Sequence, residues 1–162
     1  MLTATSAPPV QPTTFATVAE EHLDDVYAYL VYLTGDRSLA EDLTADTFER
    51  ALRKWRQFDP RRGSAKTWLC QVARSTALDH FRSESRRRRR DTVYALDEPA
   101  SEEPDLFGDR LSPELESALR SLSAAEREVV VCRVLLDLDG DQTARVLGIS
   151  PSACSTRLSR AL

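Results

Sequence analysis

Asp141-Gln142-Thr143-Ala144-Arg145-Val146-Leu147-Gly148-Ile149-Ser150-Pro151 reads as a short helix, a glycine turn, a serine cap and the first residue of a second helix. Proline is tolerated at that first position because its missing N–H would have no intrahelical partner there. Ser150 offers a side-chain oxygen to the unpaired amides of the next turn. The layout is that of a helix-turn-helix, although an αα-hairpin of any purpose can carry the same glycine. The helix that follows, Pro151 to Leu162, exposes Ser152, Ser155, Thr156, Ser159 and Arg160 and turns Ala153, Cys154, Leu158 and Ala161 inward. Hydroxyls and arginines on one face suit groove and phosphate contacts.

Outward from this segment the chain continues to read as helix. Leu115, Ala118, Leu119 and Leu122 lead into Ser123-Ala124-Ala125-Glu126, a capping-box spacing, and then into an apolar run of Val129, Val130, Val131, Val134, Leu135 and Leu136. Residues 113–162 therefore form one helical domain. Residues 91–112, with Pro99, Pro104, Gly108 and many acids, hold too little apolar content to pack alone and are expected to be a flexible acidic linker. Its acids either shield a basic surface when no polyanion is bound or are simply solvated charge.

Three further helices are expected in residues 15–90. Phe15, Val18, Leu23, Val26, Tyr27, Leu30, Val31 and Leu33 recur at helical spacing until Thr34-Gly35-Asp36 supplies a stop. A second helix starts near Ser38, with Leu39, Leu43, Phe48, Ala51, Leu52 and Trp55 on one side, and ends at Phe58-Asp59-Pro60. After the loop Arg61-Arg62-Gly63-Ser64, a third runs from Ala65 to about Ser85, capped by Ser64, with Trp68, Leu69, Val72, Ala73, Thr76, Leu78 and Phe81 inward. Trp68 belongs to the core, while Trp55 fits core or surface equally. Arg86 to Arg90 either end the third helix or begin the tether. Residues 1–14, rich in Pro, Thr and Ala, read as a disordered tail rather than a signal peptide. The fold class is all-α: an N-terminal helical bundle and a C-terminal helix-turn-helix domain, both small, joined by the linker.

Charge is segregated along this frame. Between Arg50 and Arg90, fourteen Lys and Arg face three acids, Asp59, Asp79 and Glu84, although the whole chain carries a net charge of −4. The same stretch interleaves Trp55, Phe58, Trp68 and Phe81 with the cations. It can neutralise phosphates and offer flat faces to unstacked bases, so nucleic acid is the first partner to consider.

Cys70, Cys132 and Cys154 are widely spaced and odd in number, with no C-x-x-C pair, which favours core filling over metal or redox chemistry. His22 and His80 lack ligand spacing to each other, so neither a metal site nor a cofactor is expected. No apolar run approaches membrane-spanning length, so no membrane insertion and a cytoplasmic location are expected.

Four segments in order carry a resemblance: Ala40-Glu41-Asp42-Leu43-Thr44-Ala45-Asp46-Thr47-Phe48-Glu49-Arg50-Ala51, Thr67-Trp68-Leu69-Cys70-Gln71-Val72-Ala73-Arg74, Leu122-Ser123-Ala124-Ala125-Glu126-Arg127-Glu128-Val129-Val130, and Val146-Leu147-Gly148-Ile149-Ser150. Together they resemble the extracytoplasmic-function sigma factors of bacterial RNA polymerase, over about Phe15 to Leu162. The resemblance implies a promoter-specificity subunit that binds core RNA polymerase and promoter DNA, opens the DNA, and in many members meets an anti-sigma factor. By position it assigns Asp42, Asp46 and Glu49 to the polymerase clamp. It assigns Phe58, Arg61, Arg62, Lys66, Arg74 and Ser75 to melting and capture of the −10 element. Ser155, Thr156, Arg157, Ser159 and Arg160 fall to the major groove of the −35 element. Relatives often carry glutamine at Ala45, asparagine at Ser75, glutamate at Gln142 and a basic residue at Ser155. At Ser75 a single hydroxyl then stands where an amide would offer both a donor and an acceptor. Relatives also usually continue the last helix beyond the position of Leu162 with basic residues, which leaves a missing tail or weaker −35 binding as alternatives.

A free-standing helix-turn-helix regulator leaves the acidic helix and the aromatic-basic loop unexplained. An enzyme is disfavoured, because the chain offers no nucleophile–base set, Gly-rich phosphate loop or metal-ligand cluster.

Overall fold

The computed structural model describes residues 13–91 and 112–162, which are helical with no strand among them. The expected N-terminal tail and acidic linker lie almost wholly outside the described residues. The helices are α1 (Phe15–Thr34), α2 (Arg37–Lys54) with a 3-10 turn at Trp55–Gln57, α3 (Ala65–Asp91), α4 (Pro113–Ser121), α5 (Ala124–Val130) continued by a π-helical turn at Val131–Leu135, α6 (Gly140–Leu147) and α7 (Pro151–Ala161).

Local chemistry starts and stops each of the first three. The Thr14 hydroxyl accepts from the Thr17 amide, and Gly35, at φ 64°, ends α1 by donating its N–H to the Val31 carbonyl. That left-handed φ is where glycine avoids the Cβ penalty. Asp36 caps α2 through the Leu39 amide at 3.1 Å, and Ser64 caps α3 through the Thr67 amide at 3.1 Å. The expected Ser64 cap is thus the one that forms.

Helices α1, α2 and α3 pack on one another around Val18, Val26, Tyr29, Leu30, Leu43, Leu69 and Cys70. Much of the seam between them is small: Ala40, Ala51, Ala73 and Ala77 are fully buried, as are Thr47 and Thr76 with little or no exposure. The buried hydroxyls are satisfied within their own helices, Thr44 on the Ala40 carbonyl at 2.6 Å, Thr47 on Leu43 at 2.7 Å and Thr76 on Val72 at 2.8 Å. This back-bonding lets threonine behave as a core residue of valine shape.

The periodicity overreaches at several positions. Leu23, Leu52 and Phe81, expected inward, are exposed. Helix α3 runs through the arginine run to Asp91, well past Ser85, so the arginines are helical rather than tether. In the second half, the π-turn adds a residue to the coil: the Leu136 amide donates to the Val131 carbonyl at 3.1 Å. The wider turn rotates Val134 and Leu135 into solvent while Val131, Cys132 and Leu136 stay buried. The exit is tight, with Asp137 at φ 50° and the Arg133 guanidinium donating to the Leu138 carbonyl at 2.7 Å.

The two capping boxes of this half, Ser123 with Glu126 and Asp139 with Gln142, each close reciprocally; the second went unread in the sequence. The helix-turn-helix forms as read, with Gly148 at φ 64° and the Ser150 hydroxyl accepting from the Ala153 amide. Cys70, Cys132 and Cys154 are buried thiols. Burial pushes the Cys70 thiol up to about 12, so it stays protonated and packs as a small apolar group.

Leu30→Ala removes a fully buried side chain and is expected to cost about 2–5 kcal/mol. Among the described residues Thr143 Oγ1 is a buried oxygen without a hydrogen-bond partner. Thr143→Val is therefore expected to leave stability unchanged or raise it by about 1 kcal/mol. Urea unfolding followed by far-UV circular dichroism reads both; a clear loss with Thr143→Val would mean that the hydroxyl is satisfied.

Candidate nucleic-acid interface

Trp55, at the end of α2, is the hub of an aromatic cluster. Its ring stacks on Phe58 at 5.2 Å between centroids and 17° between planes. Trp68 approaches Phe58 at 5.2 Å and Trp55 at 6.0 Å, and Phe15 meets Trp55 edge-on at 5.5 Å. Such offset and tilted contacts are the favoured aromatic geometries. The cluster closes one end of the three-helix bundle beneath the loop that joins α2 to α3. It settles Trp55 as a half-buried packing residue and ties Phe58 by one face to protein rings.

Above the cluster the loop is cationic and held by hydrogen bonds of its own. Asp59 accepts from the Arg61 amide at 3.0 Å and from the Arg61 guanidinium at 3.1 and 3.2 Å, and its carbonyl accepts from the Arg62 amide at 3.0 Å. The Arg61 side chain beside Asp59 holds that carboxyl below the usual carboxylate range. Arg61 nonetheless remains 89% exposed, because both bonds lie along one edge of its guanidinium. Lys66, in the first turn of α3, sits 3.5 Å from Asp25 of α1. The structure therefore brings Phe58, Arg61, Arg62 and Lys66 to one end of the bundle, while Arg74 and Ser75 lie two turns further along α3.

Arg74 is engaged differently from the loop cations. Its Nε donates to Glu128 Oε1 at 2.8 Å and its Nη2 to Oε2 at 3.4 Å, and the Tyr29 hydroxyl donates to the same carboxylate at 3.1 Å. Burial pushes the Tyr29 phenol well above its ordinary range, which keeps it a donor. Further along, Gln71 Nε2 donates to the Arg145 carbonyl at 3.2 Å, and Arg145 Nη1 donates to the Arg62 carbonyl at 2.8 Å. Ser75 is exposed beside a shallow groove that it shares with Gln71, Arg74, Leu78, Arg82 and Val146. Glu128, Gln71 and Arg145 were missed in the sequence: nothing local marks them, since each meets a partner more than fifty residues away.

On the opposite side of α2, Asp42, Asp46 and Glu49 are exposed at i, i+4 and i+7, one stripe of the helix. Glu49 is bridged to Arg53 at 3.0 Å within the same exposed stripe, which also carries Leu52. The reverse face of α2 is the buried seam of Ala40, Leu43, Thr44, Thr47 and Ala51. Arg50 crosses to Asp79 of α3 at 2.8 Å, tying the acidic helix to the cationic one.

Past Ala77 helix α3 has no buried residue, and its last turns carry Arg86 to Arg90, with Arg87 3.9 Å from Asp91 and Arg90 Nε donating to the Arg86 carbonyl at 3.4 Å. Basic residues there complement the negative end of the helix dipole. On α7, Ser155, Thr156, Ser159 and Arg160 are exposed and Arg157 is half-buried; Cys154 faces the core. The Thr156 hydroxyl donates back to the Ser152 carbonyl at 2.9 Å.

Comparison with known proteins fits both halves. Residues 18–87 match Sigma-70 region 2, and residues 112–162 match Sigma-70, region 4. The chain is 34% identical over 151 residues to the ECF RNA polymerase sigma factor BldN of Streptomyces coelicolor, covering 91% of this chain and 57% of that protein. It is 33% identical to the ECF RNA polymerase sigma factor SigC of Mycobacterium tuberculosis, covering 85% of this chain and 73% of the relative. Among solved structures, the sigma factor RpoE in complex with the anti-sigma factor NepR from Bartonella quintana superposes with a TM-score of 0.66 at 26% identity, covering 91% of each chain. On the two matched regions, their order and these identities, the chain belongs to the extracytoplasmic-function sigma factors of bacterial RNA polymerase.

Proposed function

We propose that this chain binds core RNA polymerase and directs it to promoters, contributing DNA recognition and strand opening but no chemistry of its own. The observation that carries the reading is the match of the two halves, in order, to Sigma-70 regions 2 and 4. The outward acids, the cationic loop and the helix-turn-helix support that division of labour.

The acidic stripe of Asp42, Asp46 and Glu49 is the docking face for polymerase. Its charge opposes that of the loop before α3 and of α3 itself, so it orients the factor: acids toward the enzyme, cations toward DNA. The loop before α3 then meets the −10 element. Extruding a base costs a few kcal/mol of lost stacking, which the free edges of the aromatic cluster and the Arg61, Arg62 and Lys66 cations offset by contacting the unpaired strand. Arg74 and Ser75 extend that track along α3. Ser155, Thr156, Arg157, Ser159 and Arg160 read the −35 major groove, the hydroxyls at base edges and the arginines at guanine or phosphate.

The site of action is the cytoplasm, where promoters and polymerase meet. Among the described residues no helix is long and apolar enough to cross a membrane. An anti-sigma partner is also proposed, supported by the RpoE–NepR complex to which the fold is similar.

Reversing the stripe with Asp42→Lys and Asp46→Lys is expected to abolish co-purification with core polymerase while the circular dichroism spectrum stays unchanged, since both side chains are exposed; undiminished co-purification would remove this face from the docking site. Arg61→Ala with Arg62→Ala is expected to lower permanganate reactivity of the promoter bubble several-fold while closed-complex affinity changes little. Equal bubble reactivity would exclude the loop from opening. Arg160→Ala is expected to weaken −35-dependent promoter binding by about 1–3 kcal/mol if it reads a base, and a titration indistinguishable from the parent would place Arg160 outside the interface.

A further inference from the structure

Helix α1 carries none of the residues assigned to polymerase or to DNA, yet it reaches the loop before α3 at both of that loop's ends. At the start of the loop the contact is aromatic. Phe15, the first residue of α1, meets the Trp55 ring edge-on at 5.5 Å and Phe48 of α2 at 6.4 Å. Trp55 in turn stacks on Phe58 with 17° between the planes, and its carbonyl accepts from the Phe58 amide at 3.1 Å. Asp59, the next residue, holds the Arg61 guanidinium. At the far end of the loop, Lys66 lies 3.5 Å from Asp25 of α1 and is only 22% exposed. The start of α1 is itself pinned: the Thr14 hydroxyl accepts from the Thr17 amide at 3.3 Å, and the Thr14 carbonyl accepts from the amide of the buried Val18 at 3.2 Å.

Resting on the reading above, we infer that Phe15 is a positioning residue for strand opening: it touches no DNA itself, and it holds Trp55 so that Phe58 and the Asp59–Arg61 pair are set in place before the unpaired strand arrives. The path has no gap. It runs ring to ring from Phe15 to Trp55 to Phe58, and then along the backbone to Asp59 and Arg61. A loop that orders only as it binds loses part of its contact energy to that ordering, whereas a loop already held keeps it. The edge-on geometry is what makes Phe15 suited to the task. The positive rim of one ring against the negative face of the next sets an angle as well as a distance, which an aliphatic side chain of similar bulk does not. Leucine at this position would fill the end of the bundle and still leave Trp55 free to turn. The effect is confined to opening, because the stripe of Asp42, Asp46 and Glu49 and the helix-turn-helix make no contact with the ring cluster.

The test uses the full chain with core polymerase and a promoter duplex mapped by run-off transcription. Phe15→Leu keeps apolar bulk and removes the ring, and Phe15→Tyr keeps the ring. The chain's two tryptophans, Trp55 and Trp68, both stand in the cluster, so near-UV circular dichroism reads ring packing directly. Phe15→Leu is expected to weaken that signal and to lower permanganate reactivity of the promoter bubble by up to about tenfold, the worth of one edge-on ring contact. Co-purification with polymerase and closed-complex affinity are expected to stay at the parent values. Phe15→Tyr is expected to restore the bubble. With Arg61→Ala and Arg62→Ala already present, Phe15→Leu is expected to add nothing further, since all three act through one loop. Full additivity, or a Phe15→Leu bubble equal to the parent's, overturns the inference. Loss of polymerase co-purification with Phe15→Leu overturns it too, because the whole bundle would then be failing rather than the loop. If run-off transcription maps no promoter for the parent chain, the reading beneath the inference is refuted and the inference goes with it.

Discussion

Close approach of α1, α2 and α3 is the constraint from which the rest of this protein follows. The seam sets alanines, and threonines whose hydroxyls fold back on their own helices, beside the fully buried Tyr29, Leu30 and Leu69, so small residues admit close backbone approach around a few large ones. A narrow seam has two consequences. It leaves the outer faces of α2 and α3 mainly to polar and charged residues, with Leu52 and Phe81 exposed among them, and it leaves the ends of the bundle to other side chains. One end is filled by Phe15, Trp55, Phe58 and Trp68, and that plug in turn sets the height and angle of the loop carrying Arg61 and Arg62. Core and interface are therefore one construction: the rings that seal the bundle also hold the cations in place.

Charge separation across so small a body needs support, because like charges repel along α3 and along the outer face of α2. Cross-bridges supply it. Arg50 to Asp79 joins α2 to α3, Lys66 to Asp25 joins α3 to α1, and Asp59 restrains Arg61. Exposed pairs of this kind contribute little stability each. Their effect is positional, keeping cations at fixed points, and Arg61 keeps its outer edge open while Lys66 is largely covered. Arg74 differs in its partner, since its edge is occupied by Glu128 of the C-terminal half.

Helical content, the glycine stops at Gly35 and Gly148, the Ser64, Ser123 and Ser150 caps and the basic block were legible because each depends on residues within a turn or two of one another. The Asp139 cap was equally local and was overlooked, its N3 partner Gln142 being the weaker half of a capping box. The exposure of Leu23, Leu52 and Phe81 was not legible: helical periodicity finds an apolar side but not how far the neighbouring helices extend over it. Nor was the π-turn, since the apolar run from Val129 to Leu136 fits an uninterrupted α-helix until the fold requires an additional residue before Asp137.

The sequence by itself determined the helices, their caps, the acidic and basic faces and the helix-turn-helix, because backbone conformation, periodicity and net charge are properties of neighbours along the chain. Only the tertiary structure decided that Trp55 packs on Phe58, that Val134 and Leu135 face solvent, and that Arg74 closes on Glu128 and Tyr29. Those outcomes turn on which groups exclude water from one another across tens of residues, and a carboxylate meets a guanidinium fifty-four positions away only after two domains have docked.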